Sequence, residues 1–379
     1  MKIQKIKKEP SVDSVAKQVV QSKKTLLRAR KPVDVESLIP TPCIPFNLEC
    51  SGHIEGAFKK GSVVNLIGDS HAGKTLFALS ILAECSMLES FDHYRFINDD
   101  VENACEFDVE YIFGKGCADR IEGSEQGIQS DTFEDFESNI EAALKIAENN
   151  GSPFIYVLDS ADALDTENAI KKFEENLVAR EKGNKEKGSF GDGKAALFSA
   201  FFKHYKKRIH ATGSLLLIIS QTRDNLGFGA AFNPKVRSGG KALKFYSAHE
   251  VWLSMVKKEK KGDRTYMTDV MAKVTKNKLT GRHGVAYFPI LFDLGIDYIQ
   301  SCIYFLMNEG YWKGNKTSVD TDGWCKVADA KTGKVSFNKL IEYVEKNNLE
   351  KDLAKECKVA YDNAIAKMTP THRKFRYSR

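Results

Sequence analysis

The stretch Val63-Val64-Asn65-Leu66-Ile67-Gly68-Asp69-Ser70-His71-Ala72-Gly73-Lys74-Thr75-Leu76-Phe77-Ala78-Leu79-Ser80 decides how the rest of the chain is read. An apolar run (strand expected over Ser62 to Ile67) enters G-x-x-x-x-G-K-T, and an apolar helical stretch follows (Lys74 to Met87). Glycines let such a loop curl until successive N–H groups face a phosphate at the start of a helix. In this pattern Gly68, Asp69, Ser70, His71, Ala72 and Gly73 form the cradle. Lys74 reaches the outer phosphates and the Thr75 hydroxyl ligates a divalent cation. A Gly-rich structural turn is the competing reading, and the strand before and helix after weigh against it. The stretch implies a site for a nucleoside triphosphate.

Working outward, Phe154-Ile155-Tyr156-Val157-Leu158-Asp159 is a second buried strand that ends in a carboxylate. Asp159 is expected at the sheet edge beside the phosphate loop, holding the cation; a helix-capping Asp is the alternative. Further strands are expected at Tyr94 to Ile97, Ser214 to Ser220, Glu250 to Met255, Met271 to Lys276 and Val285 to Ile290. Helices are expected at Thr132 to Glu148 and Lys194 to Ile209. Strands alternating with amphipathic helices imply an α/β fold with a mostly parallel central sheet flanked by helices. Two apolar-poor segments, about 174–193 and 222–241, read as long loops, which in a compact domain are functional or disordered. The expected organisation is an arm over 1–37, a core over 38–310, a small C-terminal helical module over 311–368 and a tail over 369–379.

The 379 residues are 42% hydrophobic and 28% charged, which excludes a collagen-like or disordered chain. No apolar run approaches the ~18 residues of a membrane span, and Leu215 to Ile219 is a buried strand at most. The N-terminus is basic without the apolar stretch of a secretory signal. The eight Cys are dispersed with no C-x-x-C pair, which suits a reducing, cytoplasmic setting better than disulfides or zinc. Residues 1–31 carry +8 and residues 367–379 carry +5; removing both from the total of +6 leaves the body at −7. Two basic tails around a mildly acidic body suit non-specific attraction to nucleic-acid phosphates, or solubilising arms.

Three further blocks carry a resemblance. Phe96-Ile97-Asn98-Asp99-Asp100-Val101-Glu102-Asn103-Ala104 ends in D-x-E-x-A. Leu215-Leu216-Leu217-Ile218-Ile219-Ser220-Gln221-Thr222-Arg223 is an apolar strand ending in S-Q-x-R. Asn233-Pro234 is followed by Gly239-Gly240-Lys241-Ala242-Leu243-Lys244-Phe245-Tyr246, the longest and most distinctive block. In order and spacing these resemble the RecA-type DNA recombinases, including phage UvsX-like members, over roughly residues 38–310. Weak matching outside that span suggests a bacteriophage or mobile-element member.

The resemblance implies a RecA-like P-loop NTPase core that uses ATP and Mg²⁺. Glu102 would activate the attacking water, with Asp99 and Asp100 as alternatives for the position. Gln221 would sense the terminal phosphate. Tyr111, in Asp108-Val109-Glu110-Tyr111, would stack on adenine or else be a packed helix aromatic. The loop at 222–241 would bind DNA through Arg223, Phe232, Lys235 and Arg237, and that at 174–193 through Lys182, Lys185, Lys187 and Lys194. There an expected Arg is replaced by Leu197, and a solvated charged loop is the alternative. In Val274-Thr275-Lys276-Asn277-Lys278-Leu279, Lys276 and Lys278 would reach a neighbouring subunit's ATP; an edge strand guarded by Lys is the alternative.

Head-to-tail assembly would give a helical filament on single-stranded DNA, pairing it with homologous duplex. A single-strand-binding protein and a loader are further candidate partners, and no membrane is implied. A ring helicase or motor, or an ATP- and DNA-binding mediator without strand exchange, are the rival readings.

Overall fold

The computed structural model describes residues 33–105, 107–182, 193–224, 235–237 and 240–368. The chain divides into Met1–Asp34 and Val35–Arg379, and among the described residues the strands and helices belong to the second unit. Residues 1–32 of the expected basic arm, and the tail 369–379, lie outside the described residues, while Val35–Ser37 at the end of the arm form a short 3-10 turn.

Ten strands form the main sheet: β1 (Val63–Gly68), β2 (Arg95–Asp100), β3 (Ile121–Glu122), β4 (Phe154–Asp159), β5 (Leu215–Asp224), β6 (Lys235–Arg237), β7 (His249–Lys261), β8 (Arg264–Asn277), β9 (Val285–Leu291) and β10 (Gly295–Ile296). Their spatial order is β10-β9-β8-β7-β1-β5-β4-β2-β3, with β6 pairing onto the end of β5. From β7 through β3 the neighbours are parallel. β7 to β10 turn back on one another antiparallel.

The parallel strands read as unbroken apolar runs because both faces are covered. In β5, Leu215, Leu217 and Ile219 face one hydrophobic cluster while Leu216 and Ile218 face another. The first cluster is closed by α1 (Ile44–Ser51) and α2 (Lys74–Ser86), the second by α3 (Phe133–Asn150) and α5 (Lys194–Thr212), α4 being Glu167–Glu181. Phe136 is fully buried at the heart of the second cluster, its ring tilted against that of Phe201 at 5.0 Å, so truncation to Ala would cost about 3–5 kcal/mol. α3 starts at Thr132, whose hydroxyl accepts from Asp135 N at 3.1 Å while Asp135 accepts Thr132 N at 2.9 Å.

Three expectations are corrected. The segment expected to be loop from 174 is helical through Glu181, because α4 carries a run of good helix formers capped by Thr166, which accepts from Ala169 N at 3.1 Å. The β7–β8 hairpin extends well beyond its apolar portions, polar residues such as Lys257 and Glu259 continuing the ladder to a turn at Gly262 (φ 62°). The C-terminal module is not purely helical. A small antiparallel sheet of Lys313–Gly314, Ser318–Asp320 and Lys334–Ser336 precedes α8 (Phe337–Lys346) and α9 (Glu350–Met368). Its core, with Trp312, Leu340 and Leu353, is shared with α1 and α7 (Tyr298–Asn308) through Leu48 and Ile303, so the module is continuous with the body. Among the described residues no helix is long and apolar enough to cross a membrane. All eight thiols are free.

Candidate functional site

β1 delivers the chain to Gly68, where a Cβ would sit 2.5 Å from the Leu253 carbonyl of β7; only glycine fits. The loop then turns through His71 (φ 64°) and Gly73 (φ 80°), and a Cβ on Gly73 would also strike Ile290 at 2.7 Å. Gly73, in left-handed backbone, is the residue from which α2 starts. Lys74, nearly buried, donates from Nζ to the Asp69 carbonyl at 2.7 Å. Burial pulls its pKa down, opposed by the nearby Asp159 and Glu102 carboxylates. Its ammonium is thus kept charged by the carboxylates around it while its hydrogen bond goes to a main-chain carbonyl, which a phosphate oxygen could replace.

The opposite wall is the end of β4 and β2, where Asp100 sits beside Asp159 in register. Thr75 donates its hydroxyl to Asp159 at 2.5 Å. Burial pushes the Asp159 carboxyl up to about 6, with Glu102 and Asp100 adding to it and the Thr75 bond and Lys74 opposing. Thr75 and Asp159 set a hydroxyl and a carboxylate side by side on the cavity wall, two hard oxygen donors that would suit a divalent cation shared with a triphosphate. Among the described residues no group of three or more His, Cys, Asp or Glu is placed to hold a metal ion by itself. Between the walls lies a cavity of about 210 Å³, lined by His71, Lys74, Thr75, Glu102 and Asp159 among others.

The three carboxylates at the end of β2 have different surroundings. Asp99 is wholly buried, accepting Ser130 N at 2.9 Å, Ser130 Oγ at 2.6 Å and the Tyr156 hydroxyl at 2.5 Å. Asp100 accepts Cys105 N at 2.9 Å and so closes the turn that carries Glu102. Glu102 accepts from Ser160 Oγ at 2.5 Å and Gln221 Nε2 at 2.8 Å, on the cavity wall. Tyr111 is 68% exposed on the short helix Val109–Phe113 and so is not a packed core aromatic. The aromatic that lines the cavity is Phe107.

Gln221 links this site to the stem of the second long loop. Its N–H donates to Asp162 at 2.6 Å, and Arg223 lies 3.8 Å from the same carboxylate. Beyond it, Thr222, Arg223 and Asp224 of β5 pair antiparallel with Arg237, Val236 and Lys235 of β6, so the ends of the segment read as loop form a hairpin stem. Thr222 and Lys235 both bond to the Asp69 carboxylate. The block from Gly240 to Tyr246 is helix α6.

Of the expected first-loop residues, Lys182 is exposed at the end of α4 and Lys194 starts α5, donating to the Asp162 carbonyl at 3.2 Å. Leu197 packs against the second core cluster. Lys185, Lys187 and Phe232 lie outside the described residues.

Lys276 and Lys278 are not brought to their own chain's cavity. Lys276 reaches the Lys244 carbonyl and, at 3.1 Å, that of Phe245; Lys278 reaches the Phe245 carbonyl at 3.0 Å, at the C-terminal end of α6. Burial and the adjacent Lys278 lower the Lys276 pKa to about 8. β8 pairs with β9 only as far as Lys273, so at Lys276 the ladder continues on one side alone, to Glu250 of β7.

Asp162 and Phe107 had no sequence signal of their own, and Ser160 only its position. Asp162 is one of several acids after β4, and only the adjacency of β4 and β5 sets it under Gln221. Ser160, directly after Asp159, is where a neighbouring donor for a strand-end carboxylate would be sought.

Comparison with known proteins places residues 9–297 on the profile of the RecA N-terminal domain. The chain is 28% identical to Protein RecA of Thioalkalivibrio sulfidiphilus over 265 residues, 67% of each chain. It is 27% identical to Protein RecA of Aquifex pyrophilus over 295 residues, 76% of this chain and 74% of that one. The mitochondrial DNA repair protein recA homolog of Dictyostelium discoideum is 27% identical over 307 residues, 79% of this chain and 61% of its own.

Proposed function

Since the chain belongs to the RecA family, we propose that it is an ATP-dependent DNA recombinase that assembles on single-stranded DNA and pairs it with homologous duplex. The observation that carries this reading is Gln221. Its side chain donates to Glu102 at 2.8 Å in the nucleotide cavity, while its main chain opens the stem of the loop that would hold DNA. A change at the terminal phosphate is thereby felt one residue from that stem.

Lys74 releases the Asp69 carbonyl to grip the outer phosphates of ATP. Magnesium, when bound, supplies charge neutralisation to those phosphates, held by Thr75 and Asp159. Glu102 accepts a proton from the attacking water, and Ser160 and Gln221 fix the carboxylate's direction for that task. Lys276 and Lys278 serve the ATP of the next subunit in a head-to-tail filament, resting on the α6 carbonyls until it arrives. Hydrolysis therefore requires assembly, and the segments 174–193 and 222–241 are the ones that contact the strand.

The test is ATP turnover with and without single-stranded DNA, imaged alongside with a slowly hydrolysed ATP analogue. DNA-stimulated turnover with helical filaments supports the reading and leads to strand exchange. Closed rings would favour a ring motor, and stimulated turnover without strand exchange would favour a mediator.

A further inference from the structure

Asp69 follows Gly68 in the phosphate loop and its carbonyl accepts from Lys74, yet its carboxylate is bonded elsewhere. Its two carboxylate oxygens are taken by the two strands of the hairpin stem: one accepts the Thr222 hydroxyl of β5, the other the Lys235 ammonium of β6. A single side chain of the phosphate loop thus ties both strands together. The bonds to Lys235 and Thr222 hold the Asp69 carboxyl below the usual range, so it is ionised at neutral pH.

Lys235 read from the sequence is a contact for nucleic-acid phosphates. In the structure its ammonium faces the nucleotide loop instead. We infer that Asp69 and Lys235 are positioning residues that couple the nucleotide to the hairpin, with Lys235 working toward the phosphate loop and not toward nucleic acid. This rests on the reading of the hairpin as a nucleic-acid loop.

The sign of the coupling follows from charge. A bound triphosphate adds negative charge to the loop that carries Asp69 and strengthens its hold on the Lys235 cation. The stem is then pinned to the phosphate loop, and less ordering remains to be done when a strand binds. Side-chain exposures of 46% for Lys235 and 50% for Asp69 keep the contact wet, and so worth a factor of only a few. A link of that size can be made and broken within a turnover cycle. By reciprocity the strand must raise triphosphate affinity by the same factor.

The full chain is titrated against fluorescein-labelled oligo(dT), with and without a saturating slowly hydrolysed ATP analogue, at several salt concentrations. The coupling factor is the ratio of the two affinities. Asp69→Asn and Lys235→Gln are each expected to lower it about two- to five-fold, the range of an exposed ion pair. The double variant should be no lower than either single one. In Lys235→Gln the dependence of log affinity on log salt should keep its slope, because no phosphate contact is lost.

An equal loss with and without nucleotide, together with a slope reduced by about 0.7, would show Lys235 to be a phosphate contact and overturn the inference. An unchanged coupling factor in both variants would overturn it too. If the unsubstituted chain binds oligo(dT) in no nucleotide state, the recombinase reading falls, and the coupling with it. If it binds with no nucleotide dependence, only the coupling falls.

Discussion

The Tyr156 hydroxyl donates to Asp99 at 2.5 Å in the interior beneath the end of β2. That contact separates the tasks of three carboxylates that lie within four residues of one another. Asp99 is spent on Tyr156 and Ser130, and Asp100 on the turn at Cys105. Glu102 remains on the cavity wall.

Substituting these carboxylates should therefore separate stability from chemistry. Tyr156→Phe leaves part of the Asp99 acceptor capacity unmet in the interior and should cost about 1–3 kcal/mol in urea unfolding, with turnover retained in the folded fraction. Glu102→Gln should leave stability within about 0.5 kcal/mol and slow phosphate release at least about 100-fold. Comparable turnover in Glu102→Gln and the unsubstituted chain would remove Glu102 from the chemistry.

Lys74→Ala should weaken triphosphate binding at least about tenfold, since it removes the buried ammonium on the cavity wall. Thr75→Val should instead flatten the magnesium dependence of that binding. Titration with a fluorescent ATP analogue across magnesium concentrations reads both.

Lys276→Ala should spare triphosphate binding, because its ammonium rests on the α6 carbonyls and not in its own chain's cavity. DNA-stimulated turnover should be lost. Turnover at the ordinary rate in this variant would refute a role for Lys276 at a neighbour's phosphate.

Stability should fall on acidification through His249. Burial at the start of β7, against the Phe58 ring 5.2 Å away, lowers its pKa from 6.5 to about 4. The unfolded chain takes up a proton below about pH 6.5 that the folded chain refuses until about pH 4. The stabilisation is complete above the first value and lost as pH falls toward the second, by at most about 3 kcal/mol. Urea unfolding between pH 7 and 4.5 should show a shallower loss in His249→Phe, and parallel curves would exclude His249 as the cause.

The phosphate loop was legible because its chemistry is local: Gly68 and Gly73 are demanded by close approach and left-handed backbone, and Lys74 and Thr75 follow at fixed positions. Asp159 was legible as a carboxylate ending an apolar strand. The choice among Asp99, Asp100 and Glu102 was not, because it depends on Tyr156 and Ser130, 57 and 31 residues away from Asp99. The segment from 174 misled because charged residues are equally at home in a solvated helix and a loop. The stem Thr222–Asp224 with Lys235–Arg237 was hidden because its few pairs are polar and carry no alternation.

By itself the sequence determined the apolar strands and amphipathic helices of the core and the turn geometry of the loop from Gly68 to Gly73, since those depend on near-neighbour sterics and on apolar periodicity. Strand order is a different kind of information. A strand buried on both faces looks the same whichever neighbours it has, and only the folded sheet puts β5 between β1 and β4. That order brings Gln221 to Glu102 across 119 residues, and it brings Lys235 to Asp69 across 166. Whether a lysine faces solvent, a helix end or the phosphate loop was decided there, because a long flexible cation takes whichever oxygens the tertiary fold sets within its reach.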